Sequence, residues 1–228
     1  MALADLIASR RPHRADARRN FDALLAAADA AFTELGAEVS MEEIAKRAGV
    51  GVATLYRNFP TRADLIECVY MVSVDELVGY GHSLDQAEPH AALVDWLRHF
   101  VTHLATKHVL NAALTRESQA YQPSRDAIYA IADPLFARAQ QAGTIRTDVD
   151  ADDVMRLIFA ATAGAYRDDT QRERAVQIIL DGIRPTPAAP SATPADTDYP
   201  SEASTLAQAH RHAHGRPGAN PMLPPSAK

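Results

Sequence analysis

The sequence predicts an all-α protein. Apolar residues recur three and four apart rather than in alternation, and no Asn-Gly or Asp-Gly turn lies between alternating, strand-like segments. The 228 residues, 47% hydrophobic and 23% charged, suffice for one or two ordinary globular domains with a sizeable core.

Asn20 to Leu35 forms the first predicted helix, with Phe21, Leu24, Leu25, Ala28 and Phe32 on one face and Gly36 as its C-terminal cap. Ser40-Met41-Glu42-Glu43 reads as a capping box that opens a short helix, Met41 to Ala48. Gly49-Val50 turns the chain into a second short helix, Gly51 to Phe59, which Pro60 cannot continue. Thr61 caps a longer helix, Arg62 to about Tyr80, whose Leu65, Val69, Val72 and Leu77 face a core. His90 to Thr106 follows, with Leu93, Leu97, Phe100, Val101 and Leu104 on one stripe, and then a segment through Val109 to Leu114. Ser124 to Ala142 points Ile128, Ile131, Leu135 and Phe136 inward; Pro134 should kink it and Gly143 ends it. Ala151 to Tyr166 and Thr170 to Ile183 complete the set.

Beyond them, residues 185–228 hold nine of the fourteen prolines and few aliphatic residues other than alanine, the composition of a disordered tail. Its His210-Arg211-His212-Ala213-His214 run reads as a solvated stretch rather than a metal site. The N-terminus lacks the apolar run of a signal peptide and charge interrupts every long apolar stretch, so a cytoplasmic location is expected. A single cysteine, Cys68, rules out an intramolecular disulfide framework and reads as a buried small hydrophobe. No Gly-x-Ser-x-Gly elbow, phosphate-binding glycine loop or dinucleotide fingerprint supports an enzyme, and nothing calls for a cofactor.

The net charge of −6 lies wholly beyond residue 64, so a polyanion would meet the N-terminal part. There, two short helices joined by Gly49-Val50 and flanked by longer ones form a helix-turn-helix pattern, whose second helix presents its N-terminal residues to the major groove. The string VSMEEIAKRAGVGVATLYRNFPTRADL, Val39 to Leu65, resembles the DNA-binding domain of the TetR family of bacterial transcriptional regulators, through Ile44-Ala45, Ala48-Gly49-Val50, Thr54-Leu55-Tyr56, Phe59 and Asp64-Leu65. The likeness is close over about residues 18–70 and extends to the rest only in layout; Asn58 stands where the family often has histidine.

The resemblance implies a DNA-binding domain at 18–62, a helical effector-binding and dimerisation domain at 63–184, and a homodimer on a palindromic double-stranded operator released by a small-molecule effector. It implies that Gly51, Val52, Ala53 and Thr54 approach bases, and that Ser40, Tyr56, Arg57, Asn58, Thr61 and Arg62 hold phosphates. With no bidentate side chain among Val52, Ala53 and Thr54, readout leans on thymine methyls, on Arg57 if it turns inward, and on DNA shape. Arg10, Arg11, Arg14, Arg18 and Arg19 suggest a DNA-contacting arm within residues 1–17 and just beyond, with Arg18 among the contacts. Paired final helices imply a dimer interface of Val154, Leu157, Ile158, Ala161, Ala165, Ala175, Ile178 and Ile179.

Trp96, His99, Phe100, His103, Tyr121, Tyr129, Phe136 and Phe159 are candidates for an effector pocket. His99 and His103 have metal-ligand spacing, with His108 nearby, but read as core or pocket histidines, and no metal is assigned. Asp148, Asp150 and Asp152 mimic a calcium loop without its later ligands and read as helix-capping acids.

Overall fold

Nine helices and no strand occur among the described residues of the computed structural model, which are 2–36, 38–107, 110 and 118–185. They are α1 (Leu3–Arg10), α2 (Ala15–Leu35), α3 (Met41–Arg47), α4 (Val52–Asn58), α5 (Arg62–Ser83), α6 (Pro89–Thr106), α7 (Tyr121–Gln141), α8 (Ala151–Ala163) and α9 (Asp169–Gly182). The segment expected over Val109 to Leu114 lies outside the described residues except for buried Leu110, as do His108 and everything beyond Pro185.

Local chemistry sets the helix starts. Thr61 accepts from the Asp64 amide while the Asp64 carboxylate accepts from the Thr61 amide, and Asp150 with Asp153 repeats this box at α8. Glu88 receives the His90 and Ala91 amides ahead of Pro89, and those bonds hold its carboxyl below the usual range. At α3 only half of the expected box forms: Ser40 accepts from the Glu43 amide at 3.1 Å, but Glu43 turns to Arg47 and Lys46 instead of reaching back. Helix α8 stops at Ala163, short of the expected Tyr166, because Gly164 adopts an extended conformation. Pro134 lies inside α7, which continues to Gln141.

The N-terminal segment departs from a free arm. Leu3 and Leu6 of α1 are buried, and the helix packs on α5 and α7. Arg10 pairs with Glu67 at 2.9 Å and Arg11 with Asp22 at 2.5 Å, so two of the clustered arginines are engaged by the body. Glu67 also accepts from the Ser118 hydroxyl at 2.6 Å through its other oxygen. Deleting Met1 to Arg14 removes two buried leucines and two ion pairs with the body, so the thermal midpoint should fall by several degrees. Calorimetry of the truncated protein checks this, and an unchanged midpoint would mean that α1 adds nothing.

Helix α5 is the central strut, packing on α1, α2, α6 and α7. Near its end Gly81 meets α6 and α7 closely: a Cβ there would lie 2.3 Å from Ile131 Cγ2 and 3.0 Å from Trp96 Nε1. Glycine is required at this crossing by approach rather than by backbone angle. Beyond the strut, α6 and α7 pack on α8, and α8 on α9.

Candidate nucleic-acid interface

The reading unit is fastened by its turn. Gly49 takes the left-handed conformation (φ +68°), its amide donates to the Lys46 carbonyl at 3.1 Å, and the Val50 amide reaches the Ala45 carbonyl at 3.0 Å. This pair of bonds closes α3 and frees the chain to start α4 at a fixed angle. Ile44, Ala45, Leu55 and Phe59 are buried, and Phe59 stacks on Phe21 of α2 with ring centroids 5.1 Å apart. Burying Leu55 and Phe59 turns the opposite face outward: Gly51, Val52, Ala53, Tyr56 and Arg57 are exposed, and Thr54 and Asn58 are half-buried. The expected base-facing residues thus share one open surface.

Several polar groups of this surface have internal partners. Arg57 donates to the Thr54 hydroxyl at 2.8 Å and Asn58 to the Thr54 carbonyl at 2.7 Å. The half-buried Arg62 donates to the Val39 carbonyl, bracing the start of α5 against the approach to α3. Ser40 and Thr61, besides capping, are exposed. Arg14, Arg18 and Arg19 stand exposed at the beginning of α2.

The helices from α5 onward sort the pocket candidates differently from their spacing. Trp96 is fully buried and stacks on Phe100 at 5.6 Å with planes 2° apart, and Phe136 is a buried core residue. His103 points inward, 6.1 Å from the Tyr70 ring, whereas His99 stacks on Tyr80 on the exposed side at 4.0 Å. The two histidines therefore do not share a metal site. Tyr129 is half-buried, bonded to Asp152 beneath the Arg125 guanidinium, and does not join Trp96. Phe159 is 54% exposed and faces outward. Ser124, whose residue type carried no sequence signal, is buried with an unpartnered Oγ, and His103 Nε2 and Trp96 Nε1 are likewise unpartnered. Each such unpaired atom costs about 1–3 kcal/mol.

Burial is the main cause that holds the His103 imidazole down to about 4, aided by the Lys107 and His99 charges against Asp29. The unfolded chain takes that proton near 6.5, so between these values it binds more protons than the fold, and stability falls as pH drops. The loss should reach about 3 kcal/mol by pH 4. Thermal midpoints of the protein and of His103→Leu, followed from pH 7 to 4, test this; parallel curves would refute it.

Two surface grooves lie away from the aromatic residues. One of about 500 Å³ runs between α1, α2 and α5 and includes Phe21, Leu25, Val69 and Asp75; the other, of about 540 Å³, lies between α6 and α9 and includes Arg98, Arg172 and Gln177. Neither contains a pocket candidate.

At the far end, Val154 and Ile158 are core residues of the chain itself, because α8 turns that stripe toward α6 and α7. This corrects their assignment to an outer interface. Leu157 (56% exposed) and Ile178 (72% exposed) do face outward, with Phe159, exposed Ala165 and the half-buried Ala161, Ala175 and Ile179. The acids at 148–153 are spoken for: Asp148 pairs with Arg146, Asp150 and Asp153 cap α8, and Asp152 holds Tyr129 and Arg156. Cys68 is buried, and desolvation pushes its thiol up to about 11, leaving little thiolate. No helix among the described residues is long and apolar enough to cross a membrane.

Residues 24–69 match the profile of bacterial regulatory proteins of the tetR family, and residues 88–185 that of the SbtR-like transcriptional regulator C-terminal domain. An HTH-type transcriptional regulator of Staphylococcus aureus is 41% identical over 63 residues, 27% of this chain and 33% of that protein, so the alignment spans a third of the curated relative. Two crystal structures extend much further. A TetR regulator from Streptomyces coelicolor is 36% identical, over 73% of this chain and 99% of that one, with a TM-score of 0.61. Another from Mycobacterium vanbaalenii is 35% identical, over 76% and 99%, with a TM-score of 0.60. Both the reading unit and the regulatory helices carry the likeness, and the chain belongs to the TetR family of bacterial DNA-binding transcriptional regulators.

Proposed function

We propose that the protein is a cytoplasmic homodimeric repressor that grips a palindromic operator and lets go when a small molecule binds its regulatory half. The observation that carries the DNA-binding part is the outward face of α4, where Gly51, Val52, Ala53, Tyr56 and Arg57 are exposed together above buried Leu55 and Phe59. Thr54 completes the base-facing set, and Ser40, Tyr56, Arg57, Asn58, Thr61 and Arg62 supply phosphate contacts. Arg57 and Asn58 would exchange bonds to Thr54 for bonds to phosphate oxygens. Exposed Arg14, Arg18 and Arg19 are what the basic segment contributes to the duplex. Residues 18–62 then act as the reading domain, 63–184 as the effector and dimer domain, and 185–228 as an appended tail.

Tyr56→Phe and Arg57→Ala should each weaken binding about 5- to 10-fold, both to DNA preceding the protein's own gene and to random DNA, because phosphates carry no sequence information. Arg57→Ala should also make the salt slope shallower by about 0.9. Anisotropy titrations on both duplexes check this; a loss confined to one sequence would assign these residues to bases. A second reading, a regulator that binds DNA without an effector, is favoured by the stacking of Trp96 on Phe100 inside the core, where Phe136 is buried as well. DNA affinity that no added small molecule changes would support that reading.

A further inference from the structure

The groove of about 540 Å³ between α6 and α9 combines an apolar lining with a local excess of positive charge. Half-buried Val101 and Ala105 of α6 and buried Val176 of α9 supply the apolar part. Arg98 of α6 and Arg172 and Arg174 of α9 line it together with a single acid, Glu173, among the described residues. The chain as a whole carries a net charge of −6, so this groove runs against its overall sign. A concave surface of one charge sign concentrates ligands of the opposite sign.

The three arginines are not equally engaged. Arg172 is held by Asp169 at 3.0 Å. Arg98 Nη2 donates to Gln177 Oε1 at 2.7 Å, from α6 across to α9, so its partner is a neutral amide and its charge stays uncompensated. Arg174 is exposed and makes no hydrogen bond or ion pair among the described residues. Gln177 stands one helical turn from Arg174, which brings the Arg98 guanidinium to the same stretch of α9. Guanidinium groups so placed match the planar, two-oxygen geometry of a carboxylate.

The lining also selects the rest of the ligand. It includes no aromatic side chain among the described residues, and its apolar members are small or branched aliphatics, which suits a hydrocarbon chain rather than a stacked ring. The volume falls within the range of small-molecule sites. A dimer built on the outer face of α9 would leave the groove open, because Ala175, two residues from both Glu173 and Gln177, points the opposite way on the helix.

We propose that this groove binds an aliphatic carboxylate, with the carboxylate taken by Arg98 and Arg174 and the chain laid along Val101, Ala105 and Val176. The site is distinct from the aromatic interior of α6, and its occupancy does not require that the ligand release DNA, so it goes beyond the reading of the protein as an effector-controlled repressor.

Octanoate, acetate and octanol are titrated separately into the full-length protein by calorimetry. Octanoate should bind saturably, with a Kd at least about 10-fold below those of acetate, which lacks the chain, and octanol, which lacks the charge. Arg174→Gln should weaken octanoate about 3-fold and the double variant Arg98→Gln with Arg174→Gln about 5- to 10-fold, with octanol unchanged in both. Because Arg174 makes no bond of its own among the described residues, the single variant decides alone should loss of the Arg98–Gln177 bond loosen α6 from α9. Acetate or octanol binding as tightly as octanoate, no saturation by octanoate, or octanoate affinity indifferent to the variants overturns the assignment. DNA affinity of the ligand-free variants is measured in parallel by anisotropy. Unchanged affinity supports a site for a small anion, whereas a loss would give these arginines to the phosphate backbone and overturn it.

Discussion

A variant carrying Leu157→Glu and Ile178→Glu should sediment as a monomer at micromolar concentration, where the unaltered protein should run as a dimer. Both side chains are more than half exposed on the last two helices, so neither substitution disturbs the protomer's own core. In a two-fold interface each appears twice, placing four carboxylates in an apolar contact without counter-charges. The dimer dissociation constant should rise at least about 1,000-fold, near 4 kcal/mol, with operator affinity falling as the two reading units lose their linkage. Sedimentation equilibrium measures the first effect and anisotropy titration the second. Ile158→Glu is the wrong variant for this purpose: Ile158 is fully buried in its own protomer, and a charge there would unfold the helix bundle rather than separate two copies. An unchanged dimer mass for the double variant would move the interface off α8 and α9.

Trp96→Ala should lower stability by about 4–5 kcal/mol, at the upper end for a buried aromatic, because its ring is fully enclosed and stacked on Phe100. The corresponding fall in thermal midpoint is about 10 °C or more. Trp96→Phe, which keeps a stacked ring and removes an unpartnered N–H, should lose less than half as much. Denaturant titrations of both variants measure the difference, and equal losses would show that ring stacking contributes little at this position.

Much of the helical frame was legible because a single stripe of apolar residues marks each long helix. Phe21, Leu24, Leu25, Ala28 and Phe32 face inward in α2 as their spacing requires, and the paired short helices follow from Ser40, Gly49 and Pro60. Helix α1 was less legible: its few apolar residues sit beside an arginine cluster, and its docking depends on Glu67, 57 residues away in sequence from Arg10. Periodicity also leaves the partner of a stripe undetermined. In α8 it marks Val154 and Ile158, which fill the protomer's core, while neighbouring Leu157 faces solvent. Likewise, aromatic spacing grouped His99 and Phe159 with Trp96, although the folded chain turns both outward. The internal bonds of Arg57, Asn58 and Arg62 required coordinates, because those side chains have enough reach to choose among several acceptors.

The missing side chain at Gly81 has a hereditary consequence. Every missense change at a glycine codon adds at least one carbon, and here that carbon falls on Ile131 and Trp96. Position 81 should therefore drift only in company: alanine becomes tolerable when residue 131 sheds a methyl, as in Ile131→Val, or when residue 96 gives up its indole. Related chains should show these three positions changing as a set, with the volume gained on α5 returned by α6 or α7. Gly81→Ala alone and with Ile131→Val would reveal the same trade in the test tube, since a β-branched neighbour has few rotamers into which to retreat.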